Sequence, residues 1–151
     1  KKLFYFKDYS KLSMSDIFGV KSLNNSTIRE LNELESSIFL NTSKGFLKSP
    51  LPYEINYSSV YDVEILSQNS NVTKVLFGGN QSKVKPQFGQ HDASNGWLVE
   101  LTNHNNELKC KTPINLNIEG EIRKLTTFEF GKIKMFMAGI NNKEIKFYEL
   151  N

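Results

Sequence analysis

One strand–turn–strand pattern occurs twice in this sequence, and that repeat constrains the fold more than any other feature. The first copy covers residues 61–66 and 74–80, and the second covers residues 122–128 and 132–141. Each copy has two apolar runs around a short turn and ends in small residues followed by an asparagine, a pattern typical of a β-hairpin. Repeats offset by roughly 50 to 60 residues predict similar β units whose variation lies in the loops.

A second hairpin pattern occurs before, between and after these two copies. Its three occurrences share apolar strand residues next to a polar turn, and they cover residues 36–52, 97–113 and, in shortened form, 145–150. The sequence also holds 11 Phe and 6 Tyr. Aromatic residues suit the pleated, half-buried surface of a sheet. We therefore predict a mainly β fold from residue 36 to residue 151.

The N-terminal part follows a different pattern. Residues 3–6 form an apolar start that fits either a strand or the end of a helix. Ser13 and Asp16 have the spacing of a capping box, which predicts one short helical turn. We therefore interpret residues 1–35 as a helical lead-in segment.

A second helix is predicted within this lead-in. Asn25, Ser26 or Thr27 would serve as its N-cap. Its apolar stripe would consist of Ile28, Leu31 and Leu34, with glutamates on the opposite side. Such a stripe indicates a packing face rather than a groove for a partner.

Composition excludes several classes of protein. A net charge of +3, from 19 basic and 16 acidic residues scattered along the chain, gives no basic patch for nucleic acid. The single cysteine, Cys110, excludes an internal disulfide and a thiolate zinc cluster, and its strand-like surroundings favour an inward side chain over a reactive thiol. No run approaches about 18 apolar residues, so we predict no membrane span. No signal peptide is evident, so an export signal would lie upstream.

The sequence offers little for catalysis. His91 and His104 each stand alone in a polar loop, which favours solvated histidines over a metal ligand or general base. Ser94 lacks the surroundings of a catalytic serine. The turn at residues 67–74 contains no carboxylate to bind calcium. We therefore predict no catalytic residue, no metal and no cofactor, and interpret the chain as not an enzyme.

The long loop after the first repeated hairpin carries a resemblance to a known family. The matching residues are Pro86, Gly89, Asp92, Ala93, Ser94 and Gly96, supported by N-E-L-E-S-S at residues 32–37, L-P-Y-E at 51–54 and G-E-I-R at 120–123. This pattern resembles the C-terminal part of FG-GAP/VCBS-repeat β-propeller proteins of the ASPIC/UnbV type. Gln90, His91 and Asn95 depart from it.

The resemblance implies an architecture and a location. The chain would hold about two blades of an incomplete β-propeller, at residues 60–113 and 121–150, preceded by the closing hairpin of an earlier blade at residues 36–52. Family members are surface proteins of Gram-negative bacteria, so the implied location is extracellular or outer-membrane-associated. The implied partners are the rest of a larger propeller protein or another subunit.

The loop at residues 80–97 is the candidate site, because loops longer than about 12 residues in compact domains are usually functional or tied down internally. Asp92 could staple the loop through backbone N–H groups, or the loop could contact a ligand. Trp97 could be core or a platform for a sugar. The candidate binding residues are Asn80, Gln81, His91, Asp92, Asn95 and Trp97.

The functional hypotheses follow from this loop. The leading one is a non-catalytic binding or scaffolding module that contacts protein or glycan. The alternative is a structural segment that closes a propeller or docks a subunit, and an enzyme domain comes third. Two open flanks would be covered by other blades or subunits, and they would be lined by Ile38, Leu66, Phe77, Phe136 and Phe147.

Overall fold

The structure is a computed structural model that describes residues 5–69, 71–104 and 107–150. The chain forms two compact units, residues 1–34 and residues 35–151. Among its described residues, the first unit contains three short helices, α1 (Phe6–Tyr9), α2 (Met14–Phe18) and α3 (Val20–Asn24). The predicted capping box at α2 is confirmed: Asp16 N–H donates to Ser13 Oγ over 3.3 Å, and Ser13 N–H donates to the Asp16 carboxylate over 2.9 Å.

The predicted second helix is wrong. Residues 27–34 have no regular secondary structure, and a helix lies earlier, at α3. Ile28, Leu31 and Leu34 are all exposed. An isolated helix shorter than about 12 residues is marginal in water unless its apolar face is buried, and this face is not. Within the apolar start, Leu3 and Phe4 lie outside the described residues, while Phe6 begins α1.

Apart from two 3-10 helices, the regular elements of the second unit's described residues are all strands, as the mainly β prediction requires. Its elements are β1 (Ser37–Thr42), β2 (Gly45–Pro50), a 3-10 helix (Tyr53–Tyr57), β3 (Val60–Gln68), β4 (Val72–Gly79), a second 3-10 helix (Pro86–Phe88), β5 (Trp97–His104), β6 (Glu107–Cys110), β7 (Ile114–Asn115), β8 (Ile122–Phe130), β9 (Ile133–Ile140) and β10 (Lys146–Glu149).

These strands form three antiparallel sheets, and none of them closes on itself in the described part of the chain. The orders are β1-β2, β3-β4-β5-β6 with β7 also paired to β5, and β8-β9-β10. All the hairpins predicted from the two repeated patterns are present, including β3-β4 and β8-β9. Ser70 and residues 105–106, within two of the predicted turns, lie outside the described residues.

Two apolar cores lie on opposite faces of the β3-β4-β5-β6 sheet. On its front face, the first core consists of Leu51, Ile55, Val75, Phe77, Trp97, Val99 and Leu101. On its back face, the second core joins this sheet to β8-β9-β10 and consists of Leu76, Ile118, Ile122, Leu125, Phe136, Ala138 and Ile140. Alternate residues of β4 therefore enter different cores, as the period of two along a strand requires.

The structure extends the sequence repeat into matched contacts. Asn80 N–H donates to Ser59 O over 3.0 Å, and Asn141 N–H donates to Glu121 O over 2.8 Å. The same irregularity in register occurs at the start of β3 and at the start of β8. A side chain at Gly79 would collide with Ser59 O, so the small residue that ends β4 allows this close approach.

The linkers that enter the two repeated hairpins also match. Ile55 precedes β3 and is fully buried in the first core, while Ile118 precedes β8 and is fully buried in the second. Each linker therefore covers the front face of the sheet that it enters. The front face is the one toward the first core in β3-β4-β5-β6 and the one toward the second core in β8-β9-β10. The repeat unit thus includes the linker as well as the hairpin.

Most of the five residues predicted to line open flanks are covered in the structure. Phe77 and Phe136 are buried, one in each core, because the linkers and the neighbouring sheet cover them. Ile38 and Leu66 are partly buried against the first and second cores respectively. Phe147, on β10, is exposed. The prediction was therefore wrong for Phe77 and Phe136.

No described helix is both long enough and apolar enough to span a bilayer.

Candidate functional site

A polar cleft of about 510 Å³ lies at the end of the second unit where β4 and β9 finish. Three segments meet there: the long loop after β4, the end of the linker before β8, and the turn after β9. Almost every lining residue carries a polar side chain. The lining consists of Asn80, Ser82, Gln90, Asp92, Asn95, Glu119, Gly120, Glu121, Asn141, Asn142 and Lys143.

Asn80 ties the long loop to the linker. Its side chain is 1% exposed, and its φ of 86° lies in the left-handed region, which asparagine tolerates better than most residues. Its Nδ2 donates to Ser94 O and to Gly120 O, the latter over 2.9 Å, while its Oδ1 accepts from Ser94 N–H over 3.0 Å. An amide is suited to this position because it donates and accepts at once.

Glu121 forms the floor of the cleft. Its buried carboxylate accepts from Ser82 N–H, from Ser82 Oγ over 2.6 Å and from Asn141 Nδ2 over 2.5 Å. Arg123 Nη2 lies 3.1 Å from the same carboxylate. These hydrogen bonds, that of the Ser82 hydroxyl foremost, hold the pKa of Glu121 well below its usual range. Glu121 is therefore an ionised structural anchor rather than a proton donor.

Arg123 joins the floor to the first repeated hairpin. Its guanidinium lies over the ring of Tyr61, 3.7 Å from the centroid. Both residues lie at the register irregularity that begins their hairpins. A guanidinium stacked on an aromatic face gains electrostatic attraction in addition to its ion pair. The cleft floor is therefore fixed to both sheets.

The long loop is closed at its base by a two-residue bridge. Gln81 and His91 exchange backbone hydrogen bonds of 2.7 and 2.9 Å. Ser58 Oγ donates to His91 O over 2.7 Å. Beyond this base, Gly89 and Gly96 both have positive φ, as their place in a tightly turning loop predicts. The loop is thus anchored at the bridge and at Asn80.

The walls of the cleft are open to solvent. Gln90, Asp92, Glu119 and Asn142 are exposed, and Asn95 is partly buried. Lys143, also exposed, donates from Nζ to Glu119 O over 3.4 Å. The walls therefore present amide, carboxylate and ammonium groups around an anchored floor.

The predicted site residues divide into three groups. Asn80, Asp92 and Asn95 line the cleft. Gln81 and His91 form the bridge at the base of the loop instead. Trp97 is 9% exposed and lies in the first core, so its interpretation as core is confirmed and its interpretation as a sugar platform is wrong.

The hypothesis that Asp92 staples the long loop is wrong, because a different residue holds the loop. Among the hydrogen bonds of the described residues, none reaches the exposed Asp92 carboxylate, and Asn80 ties the loop instead. An exposed carboxylate keeps its hydration and gains little from bonding the backbone. A buried amide with three partners avoids the cost of unpaired polar atoms.

Sequence reasoning missed most of the cleft. The missed residues are Ser82, Gln90, Glu119, Gly120, Glu121, Asn141, Asn142 and Lys143. One usable signal was present, because Asn80 and Asn141 end equivalent hairpins and so indicate equivalent ends of two neighbouring units. The neighbourhood of Glu121 and Ser82 depends on tertiary contact and has no local sequence signal.

The cleft suits hydrogen bonding rather than metal binding. In the residues that the structure covers, no group of three His, Cys, Asp or Glu side chains is placed to hold a metal ion. The walls offer donors from amides and Lys143 and acceptors from amides and carboxylates.

Comparison with known proteins gives no match to a family model, to a curated protein or to a solved structure.

Proposed function

We propose that this chain is a non-catalytic binding module of a β-propeller protein, and that its polar cleft binds a hydroxyl-rich ligand, a glycan. The observation that carries the proposal is the cleft itself, with its anchored floor and exposed polar walls. The resemblance to FG-GAP/VCBS-repeat proteins adds a cell-surface location in a Gram-negative bacterium.

The arrangement of the sheets supports the propeller. A propeller consists of four-stranded antiparallel sheets whose faces pack against neighbouring sheets. The β3-β4-β5-β6 sheet has four strands in that order, and both its faces carry an apolar core. The β8-β9-β10 sheet repeats its first three strands. On this basis β1-β2 is the outer part of a preceding blade.

The loops support binding rather than catalysis. Binding residues are often carried on loops that a rigid scaffold positions. Here the scaffold is rigid, because Asn80 and Glu121 are buried and hydrogen-bonded. The one acid at the floor is held ionised by its donors, so it is a poor candidate for general acid catalysis.

The lining favours a hydroxyl-rich ligand. Sugar hydroxyls both donate and accept, and amide side chains match them in both roles. Gln90, Asn95 and Asn142 supply such amides, while Asp92 accepts and Lys143 donates. A cleft of about 510 Å³ falls in the size range of small-molecule sites, which is roughly 300–1,000 Å³.

A glycan array together with pull-down from bacterial surface extracts tests this function. We expect retention of specific glycans. We expect the double variant Gln90→Ala/Asn142→Gly to lose that retention while its melting temperature is unchanged, because glycine tolerates the φ of 57° at position 142. Gln68→Ala is the matched control, because Gln68 is exposed and lies outside the cleft. Absence of any glycan ligand, or equal retention by the double variant, would contradict the proposal.

A further inference from the structure

The two repeated hairpins differ at one pair of equivalent positions. Leu125 on β8 pairs with Ala138, and Val63 on β3 pairs with Phe77, at matched places after the register irregularity. Leu125 is 0% exposed, whereas Val63 is 49% exposed. Both side chains are aliphatic and lie on the front face of their sheets. The difference therefore comes from what lies in front of each strand.

The back face of the β3-β4 hairpin covers Leu125. Asp62 Oδ2 accepts from Leu125 N–H over 2.6 Å, and Glu64 Oε1 accepts from Thr127 N–H over 2.7 Å and from Thr127 Oγ1 over 2.8 Å. Two carboxylates at alternate positions thus bond the backbone of the next hairpin's first strand. Leu66 and Leu76, from the same hairpin, pack into the second core beside these bonds.

The front face of the β3-β4-β5-β6 sheet is covered only in part. The β1-β2 hairpin covers its outer strands: Ile38 packs on the first core, and Ser49 Oγ donates to Leu108 O of β6 over 3.3 Å. Ile55 of the linker covers the middle. The front of β3 is open, since Val63 and Ile65 are 49% and 55% exposed. We call these two residues the β3 strip.

From this difference we propose that the β3 strip is the docking surface for a β-hairpin of the β3-β4 type that belongs to a neighbouring blade. The strand of that hairpin that faces β3 carries carboxylates at two alternate positions followed by an aliphatic residue, as Asp62, Glu64 and Leu66 do. The carboxylates accept from the backbone of the β3 strip. This inference rests on the proposed blade arrangement.

Two observations favour this occupant over a second copy of the chain. First, the strip is continuous with the interface that β1-β2 already forms. Second, β1 is equivalent to β5, and β5 pairs with β4, so a strand equivalent to β4 would pair with the free edge of β1. A second copy would bring the three-stranded β8-β9-β10 sheet, whose β10 would meet the place that β1 already occupies. With β1 and β2 in the places of β5 and β6, a two-stranded hairpin is what would complete that sheet to four strands.

An added hairpin tests the proposal in the intact chain. A second copy of residues 59–80 is joined by a flexible linker to the N-terminus of the 151-residue chain, which raises its effective concentration to about millimolar. Segmental labelling limits the methyl NMR signals to the original copy. We expect the Val63 and Ile65 methyl groups to lose their accessibility to a soluble paramagnetic agent, down to the level of Leu125.

Matched variants of the added copy separate specific docking from general stickiness. Asp62→Ala together with Glu64→Ala in the added copy removes both acceptors and should abolish the loss of accessibility. Ser67→Ala together with Gln68→Ala should preserve it. Unchanged accessibility with the added hairpin, or equal protection by the carboxylate-free copy, would overturn the proposal. Glycan retention by the cleft is measured on the same proteins, so failure of the docking surface and failure of the cleft are distinguishable.

Discussion

The two faces of the β3-β4-β5-β6 sheet show how strongly a neighbour determines exposure. The back face is sealed against β8-β9-β10, and Leu125 there is fully buried. The front face is sealed over β4 and β5 but open over β3, where Val63 and Ile65 are half exposed. Val63 and Leu125 occupy equivalent positions of the repeat, and both are aliphatic. Their chemistry is therefore suited to an interface, and only the covering element differs.

Truncation of one aliphatic side chain on each face should give the largest contrast. Leu125→Ala removes a fully buried side chain and should lower the free energy of unfolding by about 2–5 kcal/mol. Ile65→Ala removes the same number of carbons from the open strip and should cost no more than about 1 kcal/mol. Urea unfolding followed by circular dichroism measures both. Similar losses for the two variants would show that the strip is already covered.

The next contrast lies in the long loop. Asn80→Ala leaves Ser94 and Gly120 backbone groups without their partner and should cost about 1–3 kcal/mol. Asp92→Ala, in the same cleft, should change the free energy of unfolding by about 0.5 kcal/mol or less, because its side chain is exposed. A larger loss for Asp92→Ala than for Asn80→Ala would restore the original staple hypothesis.

Acid should loosen the contact between the repeats. Burial tends to raise the pKa of Asp62, but hydrogen bonds from Leu125 N–H and from Lys124 outweigh it, so the pKa of Asp62 is lowered. The donors of Glu121 lower its pKa as well. A carboxylate with a lowered folded-state pKa stabilises the fold above its unfolded pKa, and that stability is lost as the pH falls through the folded pKa.

We therefore expect the melting temperature to be steady above pH 4.5, the ordinary pKa of Glu121, and to fall below it. Glu121→Gln should lower the melting temperature at neutral pH and make its fall in acid shallower. The exposed Glu129→Gln is the control and should leave the whole profile unchanged. A Glu121→Gln profile parallel to that of the unaltered protein would show that Glu121 does not contribute to the acid sensitivity.

The smallest effect compares two thiols on the front face. Burial raises the pKa of the Cys110 thiol, and its side chain packs against the first core. A thiol introduced by Val63→Cys would lie on the open strip. Because the thiolate is the reactive form, iodoacetamide at pH 8 should alkylate the introduced thiol at least about threefold faster than Cys110. Equal rates would show that the strip is as protected as the covered part of the face.

Local patterns predicted the strands well because the physics that forms a hairpin is local. Alternating apolar residues and turn residues determine where β3-β4 and β8-β9 form, and the capping box at Ser13 needs only four residues. The stripe of Ile28, Leu31 and Leu34 failed because a helix of that length depends on a packing partner, which the sequence does not reveal.

The candidate site was harder to predict because its geometry comes from distant segments. Asn80 was a candidate, yet its partner Gly120 lies 40 positions along the chain. The floor at Glu121 depends on Ser82, which is 39 positions away. The long loop before Trp97 is compatible with a sugar platform, but the alternation of β5 turns the Trp97 side chain into the first core.

Solvent accessibility of two methyl groups tests the central claim, that equivalent positions of the repeat are covered at Leu125 and open at Val63. Methyl NMR of the unaltered protein with a soluble paramagnetic agent, at a concentration where light scattering reports one species, measures both together. We expect strong broadening of the Val63 methyl signals and almost none of those of Leu125. Equal shielding of the two residues, or broadening at Leu125, would contradict it.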